Sequence, residues 1–288
     1  MIKRYNDFDL YKDRNPRFKI RRMYGKYPSN LTMGFENEIA YHPKNSSRML
    51  NDKVSTFMLI NPYLYMKEEA SIDGIEINSH PFNWNWFLGL TKNPSESNFM
   101  KELSALKSHN NFSVNNDCGF HVHLARKFFD KKHLIKMIKF FYEPKHINFL
   151  HKISKRTKYS FTEWANPKIP TYEKDYKKHC HWHSKKVPYT FKEMASFKGD
   201  KFDVEVGTKC SILNLYPKKT IEIRLFKGTT NPKLFKAYLE FAMAISLFTK
   251  DTEYDMITIK EFRKYAKKNR KEYKCLYRLI TNPKSLKA

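Results

Sequence analysis

Residues 118–124 have the sequence CGFHVHL, in which His121 and His123 alternate with apolar residues. Successive side chains of a β-strand point to opposite faces of the sheet. The stretch therefore predicts a strand with two imidazoles on one face and apolar side chains on the other. The fold and the chemistry of this chain both depend on what shares the histidine face.

Three other segments repeat this pattern, and each carries acidic residues opposite its apolar ones. The segments are GFENEIA (34–40) with Glu36 and Glu38, DGIEINS (73–79) with Glu76, and TIEIRLF (220–226) with Glu222 and Arg224. Together with the histidine strand they predict a sheet that has one apolar face and one ionisable face.

A strand with an ordinary solvated outer face also alternates apolar and polar residues. Two observations decide between a solvated face and a functional one. The chain has 55 Lys and Arg but 29 Asp and Glu, so a solvated face here should be rich in lysine. Glutamate is also a poor strand former. The concentration of glutamates in these short strands therefore favours a functional face.

Helical patterns separate the strands. Apolar spacing predicts helices over 93–108, over 131–142 and, after Asn231 and Pro232, over about 232–248. The stretch TIKEFRKYAKKNRKEY (258–273) predicts a basic amphipathic helix. This order of elements indicates an α+β fold with a mainly antiparallel sheet.

Composition excludes several classes of protein. With 8 glycines, the chain shows no glycine-rich phosphate loop. Its four cysteines lack a CxxC pair, which suits a reducing cytoplasm. The N-terminal residues have no apolar core typical of a signal peptide, and the longest apolar stretch, 241–248, is too short to span a bilayer. We therefore expect a cytoplasmic protein with no membrane partner.

The formal net charge is +26. Such a charge attracts polyanions, so a large anionic acceptor such as an acidic peptide or a nucleic acid is one expectation. The abundance of Lys, Asn, Ile, Phe and Tyr is also typical of an AT-rich genome, and this second explanation needs no partner. Charge alone does not choose between them.

Four carboxylates and an imidazole on one face would repel one another or take up protons unless cations neutralise them. Hard oxygen ligands with one imidazole suit Mg²⁺ or Mn²⁺, and Mg²⁺ usually works with substrate phosphates. Arg224 on the same face suits a phosphate or carboxylate oxygen. The residues therefore predict a metal-dependent enzyme with a phosphorylated substrate, most simply ATP.

The chain resembles the amidoligases, a branch of the glutamine synthetase-like carboxylate–amine ligases. The matching stretches, in family order, are GFENEIAY, DGIEINSHPF, CGFHVHLA, RTKY (156–159) and NLYPKKTIEIRLFKGT (214–229), and they cover about 30–230. The resemblance implies a curved, mainly antiparallel sheet with helices on its convex face. It also implies ATP and two or three divalent ions on the concave face, and amide formation through an acyl phosphate.

Roles carry over by position. The resemblance implies metal ligands at Glu36, Glu38, Glu76, His121 and Glu222. It places His123 nearer the nucleotide phosphates, and it implies that Arg224 stabilises the phosphoryl group during transfer. Arg156 and Lys209 fall where family members carry basic residues, and Asn214 and Tyr159 are further candidates.

The resemblance also suggests how the chain is divided. Residues 1–30 form an N-terminal extension, 31–250 a catalytic domain and 251–288 a basic helical tail. Within the domain, 155–205 has no clear period and matches no family motif. We expect it to be a long loop or cover that sets substrate specificity.

Alternative interpretations remain at three places. His179, Cys180, His181 and His183 are either a cramped zinc site or part of a basic loop. Cys118 is either a nucleophile or a buried core thiol. For the whole chain, the rivals are a phosphotransferase of the same fold, acting on a guanidino or other nitrogen group, and a basic nucleic-acid-binding protein. The oligomeric state and the identity of the acid and amine stay open.

Overall fold

The computed structural model describes residues 20–41, 64–69, 72, 74–92, 100, 103, 112–169, 171–178, 181–196 and 210–286. Most of the predicted helix over 93–108 lies outside these ranges, as do Lys209, His179 and Cys180.

Ten strands are described. They are β1 (Thr32–Tyr41), β2 (Leu64–Glu69), β3 (Gly74–Ser79), β4 (Phe82–Asn83), β5 (Phe112–Ser113), β6 (Gly119–Ala125), β7 (Thr171–Lys178), β8 (His181–Pro188), β9 (Leu213–Asn214) and β10 (Thr220–Lys227). Eight of them form one antiparallel sheet with the order β2-β3-β1-β6-β10-β9, in which β4 and β5 also pair with β1. Strands β7 and β8 pair with each other.

Eight α-helices complete the described part of the fold. They are α1 (Trp84–Lys92), α2 (Lys131–Tyr142), α3 (Ile147–Ser154), α4 (Lys158–Trp164), α5 (Phe191–Met194), α6 (Pro232–Asp251), α7 (Ile259–Lys268) and α8 (Lys274–Thr281). The predicted α+β class and antiparallel sheet are confirmed. No helix in the ranges given above is both long and apolar enough to cross a bilayer.

Helix α6 covers the apolar face of the central strands. Phe35 of β1 stacks on Phe120 of β6 with ring centroids 5.8 Å apart, and Phe235 of α6 meets both rings edge-on. Asn231 caps this helix, because its side chain accepts hydrogen bonds from the backbone of Lys233 and Leu234. The helix layer therefore occupies one face and leaves the opposite face for the ionisable side chains.

The prediction of a loop is wrong for the described part of 155–205, whereas the alternative, a cover that sets substrate specificity, stays a prediction. The segment contains α4, the β7–β8 hairpin and α5. The two strands of the hairpin pair only with each other in the described chain. Because neither strand joins the central sheet, neither needs the apolar alternation on which a sequence-based strand assignment depends.

A buried carboxyl group links α6 to the C-terminal helices. Glu240 of α6 is fully buried, and its Oε2 accepts a hydrogen bond of 2.7 Å from the backbone N–H of Leu276 at the start of α8. Burial raises the pKa of Glu240 to about 7. The carboxyl group is therefore more easily ionised in the unfolded chain than in the folded one.

We expect Glu240→Gln to flatten the pH dependence of stability. Folding raises the pKa of Glu240, so the contribution of this carboxyl group to stability is complete below its unfolded pKa. The contribution decreases as pH rises and is lost once pH passes the folded value of about 7. Relative to the variant, the wild type should lose about 2–3 kcal/mol of unfolding free energy between pH 5 and pH 8. Urea unfolding of both proteins at the two pH values measures this, and parallel profiles would contradict it.

Candidate active site

The strand register brings the predicted site residues together on adjacent strands. Glu38 of β1 lies opposite Glu76 of β3, and Glu36 lies opposite His121 of β6. On the other side of β6, Glu222 of β10 lies opposite both His123 and, on β9, Asn214. Five neighbouring strands therefore contribute to one cluster on the face opposite α6.

The two histidines of β6 bridge the carboxylates of β1 and β10. His123 Nε2 lies 3.1 Å from Glu36 Oε1. His121 Nδ1 lies 3.4 Å from both Glu36 Oε2 and Glu222 Oε1. The imidazoles thus occupy the space between two acids that would otherwise repel each other.

The pKa values of this cluster reflect its pairing. Burial opposes ionisation of Glu36, but the charges and hydrogen bonds of His123 and His121 outweigh it and hold the pKa of that carboxyl group well below 4.5. Burial lowers the pKa of His123, yet the charge of Glu36 outweighs it and raises that pKa to about 9. The pKa of Glu222 shifts in the same direction: burial raises it, but the charges of His123 and Arg224 outweigh burial and lower it.

Arg224 extends from an irregular part of β10, since the pairing with β6 shifts register between Ile223 and Phe226. Its Nη1 donates a hydrogen bond of 2.5 Å to Glu222 Oε1 and lies 3.4 Å from His121 Nδ1. Burial opposes the charge of Arg224, but Glu222 outweighs it and raises the pKa of the guanidinium. Its Nε has no hydrogen-bond partner among the residues that the structure describes.

Arg156 brings a second guanidinium to the site from the loop that follows α3. Lys155 ends α3 in the left-handed conformation, with φ of 64°, so the chain reverses there and Arg156 turns inward. Its Nη1 donates to Ser160 Oγ at 3.1 Å, while Nε and Nη2 have no partner in the described ranges. Burial lowers the pKa of Arg156 to about 10.

A cavity of about 50 Å³ lies between the two guanidiniums. Its lining residues are Glu38, Ile72, Asp117, His121, Arg156, Trp164 and Arg224. Glu38 and Asp117 balance part of the positive charge of this lining. The buried guanidinium donors without described partners nevertheless favour a ligand that accepts hydrogen bonds. The cavity therefore suits a small anionic group, such as a carboxylate or a phosphoryl group.

Gly119 is a functional position that the sequence reasoning missed. Its N–H donates a hydrogen bond of 2.5 Å to Glu38 Oε2. A Cβ atom added here would lie 2.5 Å from His121 Nε2, 3.0 Å from Arg156 Nη2 and 3.1 Å from Glu38 Oε2. Only glycine leaves room for these three side chains to converge, and the glycine that opens GFHVH was the available signal.

We expect Gly119→Ala to displace the site. The added methyl group overlaps His121 and should cost about 1–3 kcal/mol of stability. Displaced site residues should lower turnover by about 10- to 100-fold. Gly34→Ala is the matched control, because its Cβ would meet only Ser79, at 3.5 Å or more. Thermal unfolding and turnover of both variants test this, and equal behaviour of the two would refute the steric argument.

The donor set fits a divalent metal ion. Ligand atoms of Glu36, His123 and Glu222 all lie within 4.8 Å of one another. Glu38 and Glu76 add further carboxylates beside this triad. Mostly oxygen ligands with an imidazole suit Mg²⁺ or Mn²⁺. The resemblance implied that His121 is a metal ligand and that His123 lies nearer the nucleotide phosphates. In the structure the triad contains His123 instead, although His121 lies near the same two carboxylates, Glu36 and Glu222.

The remaining candidates differ in their surroundings. Asn214 Nδ2 donates to Glu222 Oε2 at 2.7 Å, and Asn78, which the sequence reasoning missed, donates to Glu76 Oε1 at the same distance. Tyr159 is 72% exposed. Cys118 is fully buried and burial raises the pKa of its thiol, which agrees with the core-thiol interpretation.

Comparison with protein families identifies the family of the chain. A family model described as a putative amidoligase enzyme matches residues 35–246. The matched region contains every site residue discussed above. No curated protein matches the chain.

Proposed function

The chain belongs to the family of putative amidoligase enzymes, as its motifs predicted, and we propose that it is an ATP- and divalent-metal-dependent carboxylate–amine ligase. The observation that carries this proposal is the cluster of four carboxylates, two imidazoles and the Arg224 guanidinium on one sheet face, with the Arg156 guanidinium beside it. The family description supports an enzyme of the ligase kind, and the residues of the cluster supply what the ATP-dependent reaction needs.

The carboxylates would hold Mg²⁺ or Mn²⁺. Glu36, His123 and Glu222 would bind one ion, and Glu38, Glu76 and His121 would supply ligands for the other one or two. Bound Mg²⁺ neutralises and orients the phosphate oxygens of ATP. Asn78 and Asn214 fix the orientation of Glu76 and Glu222 by hydrogen bonds, a device that commonly tunes ligand groups.

The guanidiniums would act on the groups that react. Arg224 would donate to the phosphoryl group during its transfer from ATP to the substrate carboxylate, because preorganised donors stabilise the charge that develops there. Arg156 has two buried donors without described partners, and they would hold the substrate carboxylate or the acyl phosphate that it becomes. The amine would then attack the acyl carbon, the acyl C–O bond would break with release of phosphate, and the nitrogen would lose a proton. The products would be an amide, phosphate and the ADP formed in the first step.

The surroundings complete the proposal. The central sheet would be the curved sheet of the glutamine synthetase-like ligases, with the cluster on its concave face and α6 on its convex face. The segment 155–205, which contains the β7–β8 hairpin, would set specificity for the acid or the amine. The acceptor would be anionic in keeping with the net charge of +26, and the reaction would take place in the cytoplasm, where ATP is supplied.

Calorimetry of ATP with purified protein tests the proposal, with Mg²⁺, with Mn²⁺ and with a chelator. We expect binding with either metal and none with the chelator. Metal-dependent binding then justifies a screen of acid–amine pairs in which ADP release and the amide product are both measured. A phosphorylated nitrogen compound in place of an amide would favour the phosphotransferase. Absence of ATP binding with both metals would overturn the site assignment.

A further inference from the structure

A basic cleft lies at the C-terminal end of the fold, between the end of α7 and the outer face of α8. Its volume is about 410 Å³, and its lining residues are Arg270, Lys271, Lys274, Tyr277 and Arg278. The four cationic residues are exposed, and Tyr277 is half-buried between them. We call the surface formed by these five residues the C-terminal cleft.

Few acidic residues of the described chain lie near the cleft. Residues 259–278 contain nine Lys and Arg but two Glu. Glu261 pairs with Lys264 at 2.8 Å, and Glu272 is turned toward Lys26 and Tyr27, whose hydroxyl group donates to it at 2.5 Å. Both acids are therefore engaged outside the cleft. None of the four cleft cations has an ion-pair partner among the residues that the structure describes.

Shape and chemistry point to one kind of polyanion. The depression is shallow, and its volume of about 410 Å³ suits contact with one or two nucleotides. Tyr277 supplies an aromatic ring in the wall of the cleft, and stacking of bases on aromatic rings beside a basic groove is typical of single-strand binding. The cations suit phosphates, and the ring suits a base.

A membrane surface fits the cleft less well. Peripheral helices bind membranes through exposed apolar anchors together with basic residues. The exposed large apolar side chains of the described chain are Ile20, Met23, Tyr24, Tyr159, Tyr216, Tyr254 and Met256, and none of them lines the cleft. A shallow basic surface without such anchors favours a strand over a bilayer.

We propose that the C-terminal cleft binds single-stranded nucleic acid, with phosphates on Arg270, Lys271, Lys274 and Arg278 and a base stacked on Tyr277. Helix α8 packs on α6, which covers the sheet face opposite the carboxylate cluster. The cleft is therefore a separate surface, and the proposal does not depend on the ligase activity.

The test uses a fluorescent dT12 oligonucleotide and the full-length protein in EDTA, so that metal sites play no part. We expect anisotropy to show binding that weakens with salt, with a slope of log K against log[salt] of about −1.4 if two phosphates are contacted. The variant R270Q/K271Q/K274Q/R278Q should lose about 100-fold or more in affinity at low salt and most of that slope. Tyr277→Leu should lose about tenfold, and Tyr277→Phe should bind like the wild type.

The matched control removes equal charge elsewhere. Lys127, Lys131, Lys132 and Lys145 are exposed and do not line the cleft, so their fourfold replacement by glutamine should change affinity by only a few-fold. Equal losses in the cleft variant and the control variant would overturn the proposal, because binding would then follow net charge alone. A second result would also overturn the proposal. In it, the cleft residues are needed for binding to polyglutamate or to phosphatidylserine vesicles, and the Tyr277→Leu variant binds dT12 as tightly as the wild type does. Circular dichroism confirms that each variant is folded.

Discussion

Replacing Glu222 by glutamine should abolish metal-dependent ATP binding while leaving the protein folded. Three site residues hold Glu222 in place: His121 lies 3.4 Å away, Arg224 donates at 2.5 Å and Asn214 at 2.7 Å. Glutamine keeps the size of the side chain but removes its negative charge and one acceptor oxygen. Loss of groups that only support metal ligands costs about 10- to 100-fold in metal affinity, so loss of a ligand should exceed about 100-fold.

Calorimetry with Mg²⁺ and ATP measures this loss, and the exposed Glu253 provides the matched control as Glu253→Gln. The control should bind ATP as the wild type does. Glu36→Gln should behave like Glu222→Gln, because the two carboxylates and His123 form one triad. Normal ATP affinity in both site variants, with normal unfolding curves, would show that this cluster does not bind the nucleotide.

The alternation of apolar and ionisable residues was sufficient to predict the central strands. A sheet with α6 on one face requires a period of two, and β1, β3, β6 and β10 all show it. Helix α2 has the predicted bounds because Asp130 caps it and Pro144 follows it. Strong local signals and the tertiary environment agree in these elements.

Other elements gave no such signal. Helix α1 (WNWFLGLTK) is apolar nearly all round, so it lacks a polar stripe that would mark a helix. The predicted helix over 258–273 is confirmed for Ile259–Lys268 but ends at Asn269, because the chain turns to bury Tyr273 against the core. Composition cannot reveal a turn that depends on one tertiary contact.

The site was predictable in its residue types and not in its contacts. Strand periodicity places Glu36, His121 and Glu222 on one face, but the register between strands decides which side chains meet. The crowding at Gly119 and the approach of Arg156 from the end of α3 both depend on tertiary packing. A single sequence does not show which side chains meet at either position.

Arg224→Lys should lower turnover by about 100- to 1,000-fold while leaving ATP affinity within a few-fold of the wild type. Lysine keeps a positive charge beside Glu222, so the balance of charge that holds the carboxylate cluster is preserved. It cannot reproduce the planar guanidinium, in which Nη1 is bound to Glu222 and Nε is left without a described partner. Only the reaction step should therefore suffer, because that step uses the remaining donors.

ADP release under saturating ATP, compared with ATP affinity from calorimetry, separates the two effects. Arg126→Lys is a suitable control, since that guanidinium donates to the backbone oxygens of Pro217 and Leu215 and does not line the cavity. If Arg224 acts on the transferring phosphoryl group, turnover falls and binding persists. A parallel fall in both would mean that Arg224 serves mainly to hold Glu222 in place, and the stabilising role would then pass to Arg156, the other guanidinium of the cavity.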